Sequence, residues 1–384
     1  MPMIKFLKIF CAAGFLVVVV NNIVSISGWT ESRAVYDDIC YLRQAHLFER
    51  FGLGGIDTDI ARDDDNYLRG KLKEIDFKTW DDPTAAPCHT FMPASGKRVL
   101  QYPPGTGFVL SLFPVGFQVI PLYVLATIAA AALSLFAITR ASTIPQLALV
   151  AAFGDSAIYL MINPTKASYS MAPTMIVCAL AGFLTMKLFS AKSFYERLMF
   201  AMVVGLLIGL SVNFRLPNLF LSAGYFLFFL GAFLLARSKQ TFLEGAAFGI
   251  AFLIGIAPTL AANWVNAGSP FATTYSSVDV MPPELNWDTL NRYAGDVQTL
   301  LLAIAAGWVV LILRFHHRRD ARQVALVVAA NLAVNVLFFM THPVITPYYT
   351  VPIAMLSLWT LLFATLPSRE AASDNLAGAR PARA

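Results

Sequence analysis

Long apolar runs separated by short polar segments fill almost the whole chain. Ten of these runs approach or reach the roughly 20 residues that cross the hydrocarbon core of a bilayer as an α-helix. They predict membrane spans at residues 9–29, 120–139, 144–162, 173–188, 198–214, 217–236, 242–264, 299–313, 324–340 and 345–366. The pattern therefore predicts an all-α polytopic membrane protein, with a single transmembrane domain over residues 1–366 and about 10 spanning helices.

Two longer polar stretches interrupt this pattern, at residues 30–105 and 265–298. Inside the first, residues 38–50 carry apolar side chains at helical spacing, and residues 66–75 form a second short segment of that kind. We expect both to be helices that lie along the membrane surface. Prolines separate residues 106–117 from the second span, so we expect a short buried or interfacial helix there.

Composition and charge support the membrane class. The chain is 57% hydrophobic and only 13% charged, whereas soluble domains carry about 25% charged residues. The net charge of +5 comes from basic clusters between spans, at residues 187–197, 237–239 and 314–322, and from a basic tail at 367–384. By the positive-inside rule these segments are cytoplasmic, so both termini lie inside and both long loops outside. This distribution predicts a multi-pass protein of the cytoplasmic membrane, with no nucleic-acid partner and a disordered tail.

The first run leaves one alternative open. Lys5 and Lys8 precede it, as they would precede either a spanning helix or a secretory signal peptide cleaved near Ser27. We favour an uncleaved helix, because the run continues to Trp29 with few polar breaks.

Two of the four cysteines, Cys40 and Cys88, fall in the loop at residues 30–105. They could form a disulfide if that loop faces an oxidising compartment. Nothing in the sequence fixes their separation, and we therefore favour two free thiols.

Asp37 and Asp38 follow the first span directly. A carboxylate at an apolar boundary can act as a general base that takes a proton from an attacking hydroxyl. The alternative is a helix N-cap, which residue type alone favours. Both can hold if one acid caps the helix and the other faces a site.

Lys166 and Arg215 lie at predicted outer ends of spans, where basic residues are disfavoured. Such cations can bind a phosphate or pyrophosphate group. Either one alone could equally extend toward lipid head groups. The occurrence of two, on the same side as the acidic pair, favours phosphate binding.

The run Gln101-Tyr102-Pro103-Pro104-Gly105 closes the first loop. Pro-Pro-Gly stiffens a turn and allows the backbone to approach a ligand closely, although it could equally be a simple helix entry.

Asp63, Asp64 and Asp65 form an acidic run in the same loop. Several carboxylates can bind a divalent cation. The spacing fits no calcium loop, so we favour a solvated segment and keep a metal site as the weaker hypothesis. Asp155, inside the third span, should have a partner, because an acid at that depth is costly.

Several of these pieces occur together in a known family. They are the Tyr36-Asp37-Asp38 run with Tyr41, Glu49 to Gly52, Tyr102 to Gly105, Gly209-Leu210, Arg215 to Asn218, Asn263 to Phe271, and His342 with Pro347-Tyr348-Tyr349. In this order the chain resembles the GT-C superfamily of membrane glycosyltransferases, especially the bacterial branch of protein mannosyltransferases and aminoarabinose transferases.

The resemblance implies a GT-C-like bundle that transfers a sugar, with inversion, from a polyprenyl-phosphate donor to an extracytoplasmic glycan, glycolipid or protein. It implies that Asp37 or Asp38 is the base and that Lys166 and Arg215 hold the donor phosphate. The residues expected to line the site are Tyr41, Gln101, Tyr102, Pro104, Tyr169, Asn218, His342 and Tyr348. Dependence on a divalent metal varies in the superfamily. The chain departs from the family pattern in two ways. Its acidic pair is Asp37-Asp38, whereas related enzymes often have Asp-Glu, and no soluble domain is expected after the last span.

Two other functions remain alternatives. A transporter or flippase of lipid-linked saccharides would need polar residues spread through the bundle and often has inverted repeats. The sequence shows one intramembrane acid and no repeat, which disfavours it. A non-catalytic assembly partner with the same fold is the other.

Overall fold

The computed structural model describes residues 2–31, 36–162, 168–275, 282–342 and 348–366. These residues contain fourteen α-helices and one antiparallel pair of strands. The helices are α1 (Pro2–Ser27), α2 (Tyr36–Phe51), α3 (Tyr67–Glu74), α4 (Gly105–Leu110), α5 (Val119–Arg140), α6 (Ile144–Ile162), α7 (Met171–Ser190), α8 (Phe194–Val212), α9 (Ala223–Ala236), α10 (Lys239–Ala267), α11 (Trp287–Ala294), α12 (Val297–Phe315), α13 (Arg319–Thr341) and α14 (Val351–Thr365). The strands are β1 (His89–Met92) and β2 (Lys97–Leu100).

The prediction of an all-α polytopic membrane protein is confirmed. Within the described residues, eight helices are long and apolar enough to cross a membrane, and two shorter apolar helices cover residues 144–159 and 351–365. Each of the ten predicted runs overlaps one of these ten helices.

α14 lies at the centre of the bundle, since every residue from Val351 to Ala364 is buried. It packs against α7, α12 and α13, and α7 packs in turn against α5 and α8. α8 and α10 approach each other closely at glycines: a Cβ on Gly205 or Gly209 would lie 2.3 Å from a backbone oxygen of α10. Small residues at such contacts are typical of helix association in membranes.

Amide side chains satisfy the backbone where helices are irregular. The segment before α9 is a 3₁₀ turn (Leu216–Ser222), and its Leu221 carbonyl accepts a hydrogen bond from the Asn331 amide at 2.8 Å. Asn331 Oδ1 also accepts from the Gly224 N–H at 3.1 Å. Asn335 donates to the Phe220 carbonyl at 2.9 Å. Irregular backbone inside a membrane protein requires such internal partners. By contrast, Asp155 Oδ1 is buried without a hydrogen-bond partner in the described part of the chain, contrary to our expectation.

The first loop has more structure than the sequence predicted. The two helices expected in this loop are α2 and α3, but most of α2 is buried within the protein, and the expected helix at 106–117 is the shorter α4. The hairpin of β1 and β2 was not predicted, with His89 opposite Leu100, nor was α11 in the second loop. Four-residue strands are too short to show a clear alternating pattern, and eight residues give α11 only two turns.

Arg43, on α2, holds this loop together. Its guanidinium is fully buried and donates to the carbonyls of Thr58 (3.0 Å) and Asp59 (2.9 Å). It also lies 3.0 Å from His89 Nε2, while His89 Nδ1 lies 2.6 Å from the Pro87 carbonyl. Burial, and then the Arg43 charge, lower the pKa of His89 to about 3. The neutral imidazole therefore accepts from Arg43 and donates to Pro87.

The expectation of two free thiols is wrong, because Cys40 and Cys88 form a disulfide with a Cα–Cα distance of 6.5 Å. The Arg43–His89 contact brings α2 alongside the start of β1 and so places the two cysteines together. That contact joins residues 46 positions apart and cannot be read from local sequence.

Candidate active site

Asp37 lies where the first loop meets the bundle. Its Oδ1 accepts a hydrogen bond of 2.7 Å from the Tyr102 hydroxyl, and the Tyr348 hydroxyl lies 3.5 Å from Oδ2. The disulfide is adjacent, with Cys88 Sγ 3.9 Å from Oδ1. The Asp37 side chain is only partly buried, so it remains accessible to a ligand.

Asp38 has a different environment. It is fully buried, and its Oδ1 accepts a hydrogen bond of 3.0 Å from the backbone N–H of Tyr169. Tyr169 in turn donates through its hydroxyl to the Glu31 carbonyl at 2.6 Å. Asp38 thus fastens the start of α2 to the segment that leads into α7.

The helix N-cap interpretation of the acidic pair is wrong. α2 begins at Tyr36, so Asp37 and Asp38 both lie inside its first turn and neither precedes it. Negative charge in a first turn still interacts favourably with the helix dipole.

Arg215 supplies a positive charge near Asp37. It is only 6% exposed, and its guanidinium carbon lies 4.7 Å from the centre of the Tyr348 ring. One of its nitrogens contacts the Met171 sulfur and lies 3.4 Å from the Tyr348 carbonyl. None of the ion pairs in the described part of the chain, which join nitrogen and oxygen atoms within 4 Å, includes Arg215. A buried cation that is not ion-paired is costly, so the environment that the described residues give Arg215 favours binding of an anion.

Tyrosines surround the acid. Tyr41 stacks on Tyr102 with ring centres 4.8 Å apart, and Tyr275 meets Tyr102 edge-on at 6.2 Å. Burial, and then the Asp37 carboxylate, raise the pKa of Tyr102 well above its usual value. Burial also raises the pKa of Tyr41 well above normal. Both hydroxyls therefore remain protonated, and Tyr102 acts as a hydrogen-bond donor to Asp37.

The Pro-Pro-Gly turn holds Tyr102 in place. The Gly105 N–H donates to the Asn213 carbonyl at 2.7 Å, and a Cβ on Gly105 would lie 2.7 Å from that oxygen. Pro104 is buried directly before α4, and the Gln101 carbonyl accepts from the Thr274 hydroxyl at 2.9 Å. Only glycine fits at residue 105, and the turn is fixed by the end of α8 and by the second loop.

Asn213, at the C-terminal end of α8, was not among the predicted site residues. Its Nδ2 donates to the Gly255 carbonyl (2.7 Å), and its Oδ1 accepts from the Thr259 N–H (2.9 Å). In a regular α-helix the Thr259 N–H would donate to the Gly255 carbonyl, four residues earlier in α10. Asn213 hydrogen-bonds to both of these backbone groups. Asn213 therefore connects the Gly105 turn to α10. The only sequence signal was its position directly before Phe214 and Arg215.

Not every predicted lining residue reaches Asp37. Asn218 is buried and donates to the Thr174 hydroxyl (3.1 Å) and the Ser211 carbonyl (2.8 Å), where it joins α7 to α8. His342 stacks on Phe338 with ring centres 5.4 Å apart. Lys166 lies outside the described residues, so its role as a second phosphate ligand stays a prediction.

The acidic run of the loop is paired with basic side chains. Asp64 Oδ1 lies 2.7 Å from an Arg50 nitrogen, Asp65 Oδ2 lies 2.6 Å from His46 Nε2, and Asp63 lies 3.6 Å from Arg43 Nε. Arg50 lowers the pKa of the Asp64 carboxyl through its hydrogen bond. Among the described residues no group of three or more His, Cys, Asp or Glu side chains is placed to hold a metal ion. The pairing favours the solvated-segment interpretation of this run.

Comparison with known proteins adds no identification, because no protein-family profile and no curated protein matches the chain.

Proposed function

We propose that the protein is a glycosyltransferase of the cytoplasmic membrane that moves a sugar from a polyprenyl-phosphate donor to a hydroxyl outside the cytoplasm. The observation that carries the proposal is the relation of Asp37 to Arg215. Tyr348 connects the two: its hydroxyl lies 3.5 Å from the Asp37 carboxylate and its ring 4.7 Å from the Arg215 guanidinium. A partly exposed carboxylate and a buried cation thus contact the same tyrosine, one at its hydroxyl and the other over its ring.

The chemistry assigned to this pair is a single displacement. The acceptor oxygen forms a bond to the anomeric carbon as its proton passes to the Asp37 carboxylate. The bond from that carbon to the phosphate oxygen breaks, and the phosphate leaves with the electron pair. Arg215 stabilises the negative charge that develops on the leaving phosphate. Tyr102 holds Asp37 through Oδ1 and so directs Oδ2 toward the acceptor.

This proposal separates the two acids. Asp37 is the base, and Asp38 is a positioning residue that fastens α2 to the segment before α7. Donor binding needs access from the lipid and acceptor binding needs access from water, and a site between the first loop and the helix ends satisfies both needs.

The test is sugar transfer by the full-length protein in proteoliposomes, supplied with a panel of synthetic polyprenyl-phosphate hexoses and pentoses. Asp37→Asn should lower the rate about 10²- to 10⁴-fold, the usual contribution of a general base. Asp38→Asn keeps an oxygen that can accept from the Tyr169 N–H, so its loss should be less than about tenfold. Asp76→Asn is the matched control, because Asp76 is an exposed acid of the same loop.

Arg215→Gln should raise KM for the donor and lower kcat, while Arg215→Lys should restore part of both because it keeps the charge. Wild-type rates in Asp37→Asn would refute the base assignment. Movement of labelled donor across the bilayer without any new glycosidic product would instead favour the flippase.

A further inference from the structure

A cavity lies at the end of the bundle opposite to Asp37 and Arg215. It has a volume of about 960 Å³ and is surrounded by the C-terminal ends of α5, α7 and α14 and by the N-terminal ends of α8 and α13. Met171 begins α7 beside Arg215, and Lys187 reaches the cavity sixteen residues later along that helix. At about 1.5 Å per residue the two sites are roughly 24 Å apart. The volume matches that of small-molecule sites, about 300–1,000 Å³.

The side chains that line this cavity are strongly basic. Six are cationic and two are acidic: Arg140, Lys187, Lys192, Arg197, Arg318 and Arg319, with Glu196 and Asp320. Some of the basic charge is already neutralised, since Arg197 pairs with the buried Glu244 through two bonds of 2.8 and 2.9 Å. Arg318 pairs likewise with Asp320.

Three other cations of the cavity form no such pair with the residues that the structure describes. Arg140, Lys187 and Arg319 are in none of the ion pairs within 4 Å in the described part of the chain. They come from α5, α7 and α13, so three separate helices bring charge of one sign to one place. Convergent charge of this kind attracts an anionic ligand.

An aromatic floor lies below these charges. Phe183 is 5.4 Å from Phe136 and 5.3 Å from Phe363, measured between ring centres, and all three rings line the cavity. The Arg140 guanidinium lies 4.9 Å from the centre of the Phe136 ring, and the Lys187 ammonium lies 5.7 Å from that of Phe183. The cavity therefore offers cations at its mouth and apolar surface underneath.

We infer that this cavity binds the phosphate group of an anionic ligand, and that an anionic phospholipid of the adjacent leaflet is its source. The phosphate is shared by a lipid head group and by free pyrophosphate. The aromatic floor favours the lipid, because the rings can contact the first methylene groups of the acyl chains, which free pyrophosphate lacks. Basic pockets between helices on the cytoplasmic side of a membrane bind phospholipid head groups in this way. This site is independent of sugar transfer at Asp37.

The experiment titrates the purified full-length protein, in an uncharged detergent, with dioctanoyl phosphatidylglycerol, and measures binding by calorimetry. Dioctanoyl phosphatidylcholine and inorganic pyrophosphate are the two comparison ligands. The cavity variant carries Arg140→Gln, Lys187→Gln and Arg319→Gln. The matched control carries Arg237→Gln, Lys239→Gln and Arg314→Gln, which removes the same charge from exposed residues outside the cavity.

We expect phosphatidylglycerol to bind the wild type, and the cavity variant to bind it about 100-fold more weakly, since each basic side chain contributes about fivefold. The control should change by less than about threefold. Lys187→Gln alone removes one exposed side chain, should leave the fold intact and should weaken binding about fivefold. If pyrophosphate binds as tightly as the lipid and loses as much affinity in the cavity variant, the cavity is a phosphate site but the lipid is not its ligand. Equal losses in the cavity and control variants, or equal binding of phosphatidylcholine, would overturn the site itself.

Discussion

Replacement of Asn213 by alanine should destabilise the protein through α10 rather than through α8. The Asn213 side chain donates to the Gly255 carbonyl at 2.7 Å and accepts from the Thr259 N–H at 2.9 Å. Alanine removes both bonds and leaves two buried backbone groups without this partner. Each unsatisfied buried group costs about 1–3 kcal/mol, so the expected loss is about 2–6 kcal/mol in the free energy of unfolding.

Asn213→Asp separates the two bonds. A carboxylate can still accept from the Thr259 N–H, but it faces the Gly255 carbonyl with a second acceptor, so the loss should be at least as large as in Asn213→Ala. The assay is unfolding of the detergent-solubilised protein followed by tryptophan fluorescence, with the exposed Asn291→Ala on α11 as the control. A change below about 0.5 kcal/mol in Asn213→Ala, the size expected of a surface substitution, would show that α10 closes its own hydrogen bonds and would refute this reasoning.

Three further predictions concern the first loop and its turn. The His89 pKa is lowered to about 3 in the folded state, so the stability it contributes is complete above about pH 6.5 and falls as the pH drops toward 3. Thermal unfolding at pH 5 should therefore show a loss of about 2 kcal/mol relative to pH 7.5, and this dependence should shrink in His89→Gln. Removal of the disulfide by Cys40→Ser with Cys88→Ser should cost about 4 kcal/mol, because it closes a loop with a sequence separation of 48; an unchanged melting temperature in that variant, or in wild type under reductant, would contradict it. Gly105→Ala should slow transfer at least tenfold because its Cβ would lie 2.7 Å from the Asn213 carbonyl oxygen, and transfer assays at wild-type rate would show that the turn can shift.

The helices could be predicted from the sequence because a membrane restricts the chain to few backbone structures. An apolar run of about 20 residues has only the helix as a way to satisfy its own backbone groups. The irregular segments were less predictable. The 3₁₀ turn before α9 depends on Asn331 and Asn335, which lie more than a hundred positions later in the chain. Asn331 and Asn335 stand inside an apolar run, but the sequence does not say which backbone groups they satisfy.

The site shows the same limit. Asp37, Tyr102 and Arg215 could be singled out from their residue types and positions at helix ends. Their connection could not, since Tyr348 is 311 positions from Asp37. The disulfide was missed for this reason too, and the hairpin that follows Cys88 was too short to be recognised.

The geometry of α2 decides how the acidic pair is used. Consecutive residues of an α-helix point about 100° apart, because a turn contains 3.6 residues. Asp37 and Asp38 therefore cannot both point toward the Tyr102 hydroxyl. Asp37 accepts a hydrogen bond from that hydroxyl, and Asp38 accepts one from the backbone N–H of Tyr169. An acid present only at position 38 would point toward the Tyr169 backbone and not toward Tyr102. The double variant Asp37→Asn with Asp38→Glu should thus be as inactive as Asp37→Asn alone, despite its added reach, and recovery of transfer would show that α2 rotates to present either acid.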